Sequence, residues 1–118
     1  MASHVVHFEI PAEDTGRARS FFGELFGWSF ESQPGTTEYW VADTGEEPGV
    51  GLLPRAGRER NVLLYFDVDD VEAAAARVEQ LGGKIVVPKT RVENKGWLAK
   101  FEDTEGNLFG LWMWDHSA

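Results

Sequence analysis

The sequence contains no cysteine. That excludes disulfides, thiolate metal sites and a cysteine nucleophile, and it fits a chain of a reducing, cytoplasmic compartment. No run of about 18 apolar residues occurs, so no membrane span is expected. The opening MASHVVHFEI lacks a basic segment and a long apolar core, so it does not read as a secretory signal. Positive charge is scarce: 11 Lys and Arg against 20 Asp and Glu leave −9 at neutral pH. That balance disfavours a nucleic-acid partner and leaves room for a cationic ligand. Neither a P-loop, nor GxGxxG, nor a Ser-His-Asp arrangement is present.

Aromatic side chains are abundant. Five Trp, eight Phe and two Tyr in 118 residues supply apolar area for one core, not for two independent ones. The chain repeats itself. His7 to Trp28 reads as strand, Asp-capped helix and Gly exit, and Leu63 to Gly83 repeats that grammar at a 56-residue offset, Asp14 to Asp70. In the first copy Ala18, Phe21, Phe22, Leu25 and Phe26 follow the spacing of one buried helix face, and in the second Val71, Ala74, Ala75, Val78 and Leu81 do so. Asp14 and Asp70 stand at N-cap positions, and Gly27 and Gly82-Gly83 at helix exits.

Expected strands in the first half are Val5 to Ile10, ended by Pro11, then Ser29 to Gln33, Glu38 to Ala42 and Val50 to Leu53. The charged stretch from Pro54 to Asn61 reads as a linker. The second half opens with a strand at Val62 to Val68 and a helix at Val71 to Leu81. Lys84 to Val87 follows, ended by Pro88, then a polar stretch from Lys89 to Lys95 and strands at Trp97 to Phe101 and Leu108 to Trp114. Each half is βαβββ. The expected organisation is one domain, with module one over about 4–54, linker 55–61 and module two over about 62–116.

The repeat, together with LFGW, VDDVEAA, LGG and the terminal EDTEGNLFGLW, resembles the vicinal-oxygen-chelate superfamily of glyoxalases, extradiol dioxygenases and bleomycin-resistance proteins. The resemblance implies an α+β fold in which two βαβββ modules form one paired-sheet, barrel-like cleft with the helices outside. It also implies, for a single-domain member, a homodimer. Metal-dependent members hold a divalent ion with ligands on the first and last strands of both modules. Counting back seven residues from the helix-opening Asp gives His7 in module one but Leu63 in module two. Gly110 stands at the module-two last-strand position, and Val50 to Leu53 contains no ligand. One imidazole does not hold a divalent ion, so no metal site and no cofactor are expected.

His7 is a candidate general base, or equally a cavity histidine bonded to a neighbour. Glu9 shares its strand face as an acid–base partner or an ion-pair member. Tyr65 and Asp67 share a face of the module-two first strand, and with Trp97 and Trp112 they are the candidate ligand contacts. Trp112 shares parity with Gly110, and an aromatic wall beside a glycine suits a flat ligand. Met113 is expected to face the helices. His4 and His116 lie near the termini and are not assigned to a site. The leading reading is a metal-free, glyoxalase-like domain binding a small aromatic or apolar molecule. The alternatives are sequestration of a cationic drug, as in bleomycin resistance, or a metal-dependent lyase, isomerase or dioxygenase using His7.

Overall fold

The computed structural model describes residues 3–35, 37–56 and 61–118. The chain is α+β, with two helices and eight strands among the described residues. It divides into two compact units, one of His7–Leu63, the other of the chain's start up to Val6 with Leu64–Ala118. Among the described residues no helix is long and apolar enough to cross a membrane.

The unit of His7–Leu63 contains most of β1 (Val5–Ala12), then α1 (Thr15–Phe26), β2 (Phe30–Ser32), β3 (Trp40–Ala42) and β4 (Gly49–Pro54). Its sheet order is β2-β3-β4-β1. The strand β1 runs parallel to β4, and β4 and β3 are antiparallel. The other unit contains most of β5 (Leu63–Asp67), then α2 (Val71–Gln80), β6 (Lys84–Val92), β7 (Gly96–Glu102) and β8 (Leu108–Trp114). Its order, β6-β7-β8-β5, and the parallel β5–β8 pair repeat the first topology. The two βαβββ modules read from the sequence are therefore the architecture of the protein.

Both helices begin as their sequences dictate. Asp14 accepts from the Arg17 amide at 3.0 Å and Asp70 from the Ala73 amide at 3.1 Å, each meeting an amide that lacks an intrahelical partner. At the end of α1, Gly27 takes φ 74°, the left-handed exit that favours glycine. Helix α2 lays Val71 fully buried against Ala99 and Leu111, with Ala74, Ala75, Trp97, Phe101 and Met113 around them. Met113 faces the helix as expected.

Helix α1 departs from expectation. None of its residues is buried, and Phe21, Leu25 and Phe26 are 59%, 58% and 57% exposed. Ala18 and Phe22 are half-buried. Beneath α1, β2 and β3 are only three residues long each, so the sheet covers part of a five-residue apolar arc and leaves the rest outward.

Two strands outrun the prolines expected to end them. β1 continues through Pro11 to Ala12, with Pro11 in register with Leu53, because a parallel ladder uses only alternate residues toward a given neighbour. β6 continues through Pro88 to Val92, so the first four residues of the stretch expected as a polar connection are strand and only 93–95 form the turn into β7. The β6–β7 register is irregular between Val87 and Thr90, and a residue without an N–H is tolerated at such a bulge. The linker expected over 54–61 begins inside β4, and residues 57–60 of it lie outside the described residues.

Candidate functional site

Strand parity and register sort the side chains. In the first unit Phe8, Ile10, Val50, Leu52, Trp40 and Ala42 lie on one face, in register across β1, β4 and β3. Arg19 of α1 lies over the Trp40 ring at 3.7 Å, so this is the face toward the helix. Glu38 joins that contact. It accepts from the Thr15 hydroxyl and from Trp40 Nε1 at 2.9 Å. The Thr15 bond first, then the Trp40 bond, holds its carboxyl below the usual carboxylate range.

The opposite face carries His7 and Glu9 from β1, facing Gly49 and Gly51 of β4, with Val41 of β3 in register. Tyr39, two residues before Val41, shares that face. Its hydroxyl stands 2.7 Å from His7 Nε2 and donates to Glu9 Oε2 at 2.8 Å. The rings of His7 and Tyr39 lie 26° from parallel. A phenol has one proton. With that proton given to the Glu9 carboxylate, Tyr39 Oη accepts from His7, so Nε2 carries a hydrogen. All three side chains are half-buried, where an ordered polar chain has more electrostatic weight than in water.

Glycine makes this arrangement possible. A Cβ on Gly51 would lie 2.0 Å from Tyr39 Oη and 2.8 Å from His7 Nε2, and one on Gly49 would touch His7 Nδ1 at 3.4 Å. Tyr39 thus fills the space into which a side chain at 51 would project. The second unit repeats the device. Gly110 is in register with Tyr65 as Gly51 is with Glu9, and a Cβ on Gly110 would lie 2.2 Å from the Tyr65 ring.

The sequence profile of the Glyoxalase/Bleomycin resistance protein/Dioxygenase superfamily matches residues 4–111. The chain belongs to that superfamily. A glyoxylase-like domain-containing protein of Didymella fabae is 31% identical over 116 residues, covering 87% of this chain and 88% of the relative. The anthracycline biosynthesis protein DnrV of Streptomyces peucetius is 26% identical over 89% of this chain. The chain spans 45% of that relative, and 43% of CFP32 of Mycobacterium tuberculosis, which is named as a glyoxylase candidate. Among solved structures, methylmalonyl-CoA epimerase of Mycobacterium tuberculosis superposes with a TM-score of 0.76 at 14% identity, over 94% of this chain and 87% of the epimerase. At that identity the likeness shows the shared superfamily fold.

The side chains singled out in the sequence fall into separate groups. His7 and Glu9 are brought together, and the link between them is Tyr39, which the sequence reading passed over. Its signal was parity alone: Tyr39 alternates with Trp40 and lies on the face of Val41. Tyr65 is 3% exposed, with its ring on Gly110. Asp67 accepts from the His4 amide at 2.8 Å, and its carboxylate is 3.2 Å from His4 Nδ1. Trp112 is in register with Asp67, edge-on to Trp114, and its Nε1 is enclosed without a hydrogen-bond partner among the described residues.

Trp97 is a correction. It is in register with Met113 and packs against the Val71 cluster, so it faces α2, on the sheet face opposite Tyr65, Asp67 and Trp112. Its Nε1 donates to Asp115 at 3.1 Å, and Lys89 lies over its ring. Bonds from Ser117 and then from Trp97 hold the Asp115 carboxyl below its ordinary value.

Proposed function

We propose that this glyoxalase-like domain binds a small organic molecule through its own side chains, without a resident divalent ion. The observation that supports this reading is the seat of Tyr39 on Gly51, hydrogen-bonded to both His7 and Glu9. The metal-dependent pattern asks for nitrogen or oxygen ligands at four places. Here they hold His7, Leu63, Gly110 and, by the repeat from Gly110, Gly51. A single imidazole already bonded to a phenol does not supply a divalent cation with the donors it requires. The residues present do not fit the ion.

In place of a metal, the His7–Tyr39–Glu9 chain offers donors and a carboxylate on one face of a sheet. Such a group orients a ligand that carries a hydroxyl or carbonyl. His7 and Glu9 are the groups that would move a proton if the bound molecule reacts. In the second unit, considered by itself, Asp67 and Trp112 share a sheet face, whereas Tyr65, 3% exposed with its ring on Gly110, and Trp97, facing α2, are not offered as contacts. Trp112 favours a flat aromatic ligand. Two relatives are named anthracycline biosynthesis proteins, and an anthracycline is a polycyclic aromatic. A second reading, sequestration of a cationic drug, is favoured by the net charge of −9.

The test is a thermal-shift and calorimetric screen of flat aromatic compounds, neutral and cationic, against the protein and its Tyr39→Phe and His7→Ala variants. A saturable ligand should lose about tenfold in affinity in Tyr39→Phe, the value of one hydrogen bond. Preference for cationic members over their neutral isosteres selects the second reading. Ligands indifferent to both substitutions, or no saturable ligand, contradict the site.

A further inference from the structure

The sheet face of the second unit that bears Asp67 and Trp112 also carries a cation, Lys100. On β7, Trp97, Ala99 and Phe101 pack toward α2 with the Val71 cluster. Gly96, Leu98, Lys100 and Glu102 therefore lie on the opposite face. The register agrees: Leu98 is opposite Trp112, and Lys100 is opposite Gly110. Lys100 is half-buried, whereas every other Lys and Arg of residues 64–118 is exposed. No hydrogen bond or ion pair engages its ammonium among the described residues. The carboxylates of this face, Asp67 and Glu102, have other neighbours. Asp67 accepts from the His4 amide and stands beside the His4 ring, and Glu102 is in register with Lys84.

At the equivalent place in the first unit the residue is apolar. Gly51 and Gly110 correspond by register, and the β3 residue opposite Gly51 is Val41, where the β7 residue opposite Gly110 is Lys100. Two residues earlier stand Tyr39 in the first unit and Leu98 in the second. Each unit thus brings one polar side chain from its third strand, or the residue just before it, onto this face. In the first unit it is Tyr39, and in the second it is Lys100.

The spacing along β7 limits what lies between the aromatic and the charge. The Trp112 indole covers Gly96, where a Cβ would be 2.9 Å from Trp112 Cζ2. Lys100 follows four residues later, about 13 Å along an extended strand. Half-buried Leu98 stands between them on the same face. An apolar floor thus has an indole at one end and an ammonium at the other. An ammonium withdrawn from water and without a partner gains more from an anion than a solvated one does. We propose that this face selects a flat aromatic molecule that bears a carboxylate. The ring system lies on Leu98 beside Trp112, and the carboxylate accepts from Lys100 Nζ. The inference rests on the reading that the domain binds a small aromatic molecule, and it assigns that molecule a negative charge. Lys100 acts here as a specificity residue and takes no part in bond making.

The test is calorimetric titration of the full chain with 2-naphthoate and anthraquinone-2-carboxylate. Each is compared with its neutral primary amide and with its aminomethyl cation. The carboxylates should bind saturably and about tenfold tighter than their amides, the scale of one charge-assisted hydrogen bond. Lys100→Met keeps most of the apolar stem and should lower carboxylate affinity to the level of the amide, with the native circular dichroism spectrum retained. Lys100→Arg should hold carboxylate affinity within about threefold of wild type. Trp112→Leu should weaken carboxylate and amide by the same factor. Amides bound as tightly as carboxylates, cations bound more tightly than carboxylates, or a carboxylate preference that survives Lys100→Met overturns the assignment and leaves the binding of an aromatic molecule standing. No saturable binding in any charge state removes that underlying reading and the assignment with it.

Discussion

Gly96→Ala is expected to lose about 3–5 kcal/mol of stability, a large share of the roughly 5–15 kcal/mol typical of a domain. Gly96 opens β7 and is in register with Trp114 of β8. Its backbone is not left-handed; it is glycine because there is no room. A Cβ there would lie 2.1 Å from the Met113 carbonyl oxygen, 3.1 Å from that carbonyl carbon and 2.9 Å from Trp112 Cζ2. A flexible side chain could swing aside, but the Met113 carbonyl belongs to the neighbouring strand. The methyl therefore forces the strands apart where β7 is fully paired with β8, and backbone displacement in a packed sheet costs more than ordinary overpacking. Urea unfolding followed by Trp fluorescence reads the loss directly. A change below about 1 kcal/mol would show that the two strands are not held this closely.

Tyr65→Ala is the second large effect, on the order of 3–5 kcal/mol, as for other large aromatic truncations in a core. Tyr65 is 3% exposed, and its ring occupies the space over Gly110. Truncation leaves a hole over a glycine, which has no side chain to fill it. The pair should also be strongly coupled. Gly110→Ala alone drives a methyl to within 2.2 Å of the ring and destabilises. In the Tyr65→Ala background the same methyl enters empty space and should be neutral or stabilising. A double-mutant cycle in urea gives this coupling. Additive effects of the two substitutions would mean that the ring does not rest on Gly110.

Local chemistry carried the legible part of the fold. An Asp before an apolar helical spacing, and a Gly after it, fix a cap and an exit without long-range help, so both helices and their equivalence could be read directly. Strand parity correctly gave the shared face of His7 and Glu9 and the helix-facing Met113. The failures came where a partner decides. Helical spacing says that Phe21, Leu25 and Phe26 share a face with Ala18 and Phe22, but not how much of that face a sheet covers. Pro88 punctuates a strand in sequence, yet the irregular β6–β7 register accommodates it. Trp97 and Trp112 each alternate correctly along their own strands. Only the β7–β8 register, Trp97 opposite Met113, shows that the two point to opposite sides of the sheet. The expected ligand positions lie on β1 and β4, whereas Tyr39, which joins His7 to Glu9, comes from the residue just before β3.

The proposal that Tyr39 stands in the place of a metal ligand is open to a test by metal content. Elemental mass spectrometry of the purified, untagged protein should find no stoichiometric Mn, Fe, Co, Ni or Zn, and titrating those ions should leave the melting temperature unchanged. One tightly held equivalent of metal, lost on His7→Ala, would overturn the metal-free reading of this site.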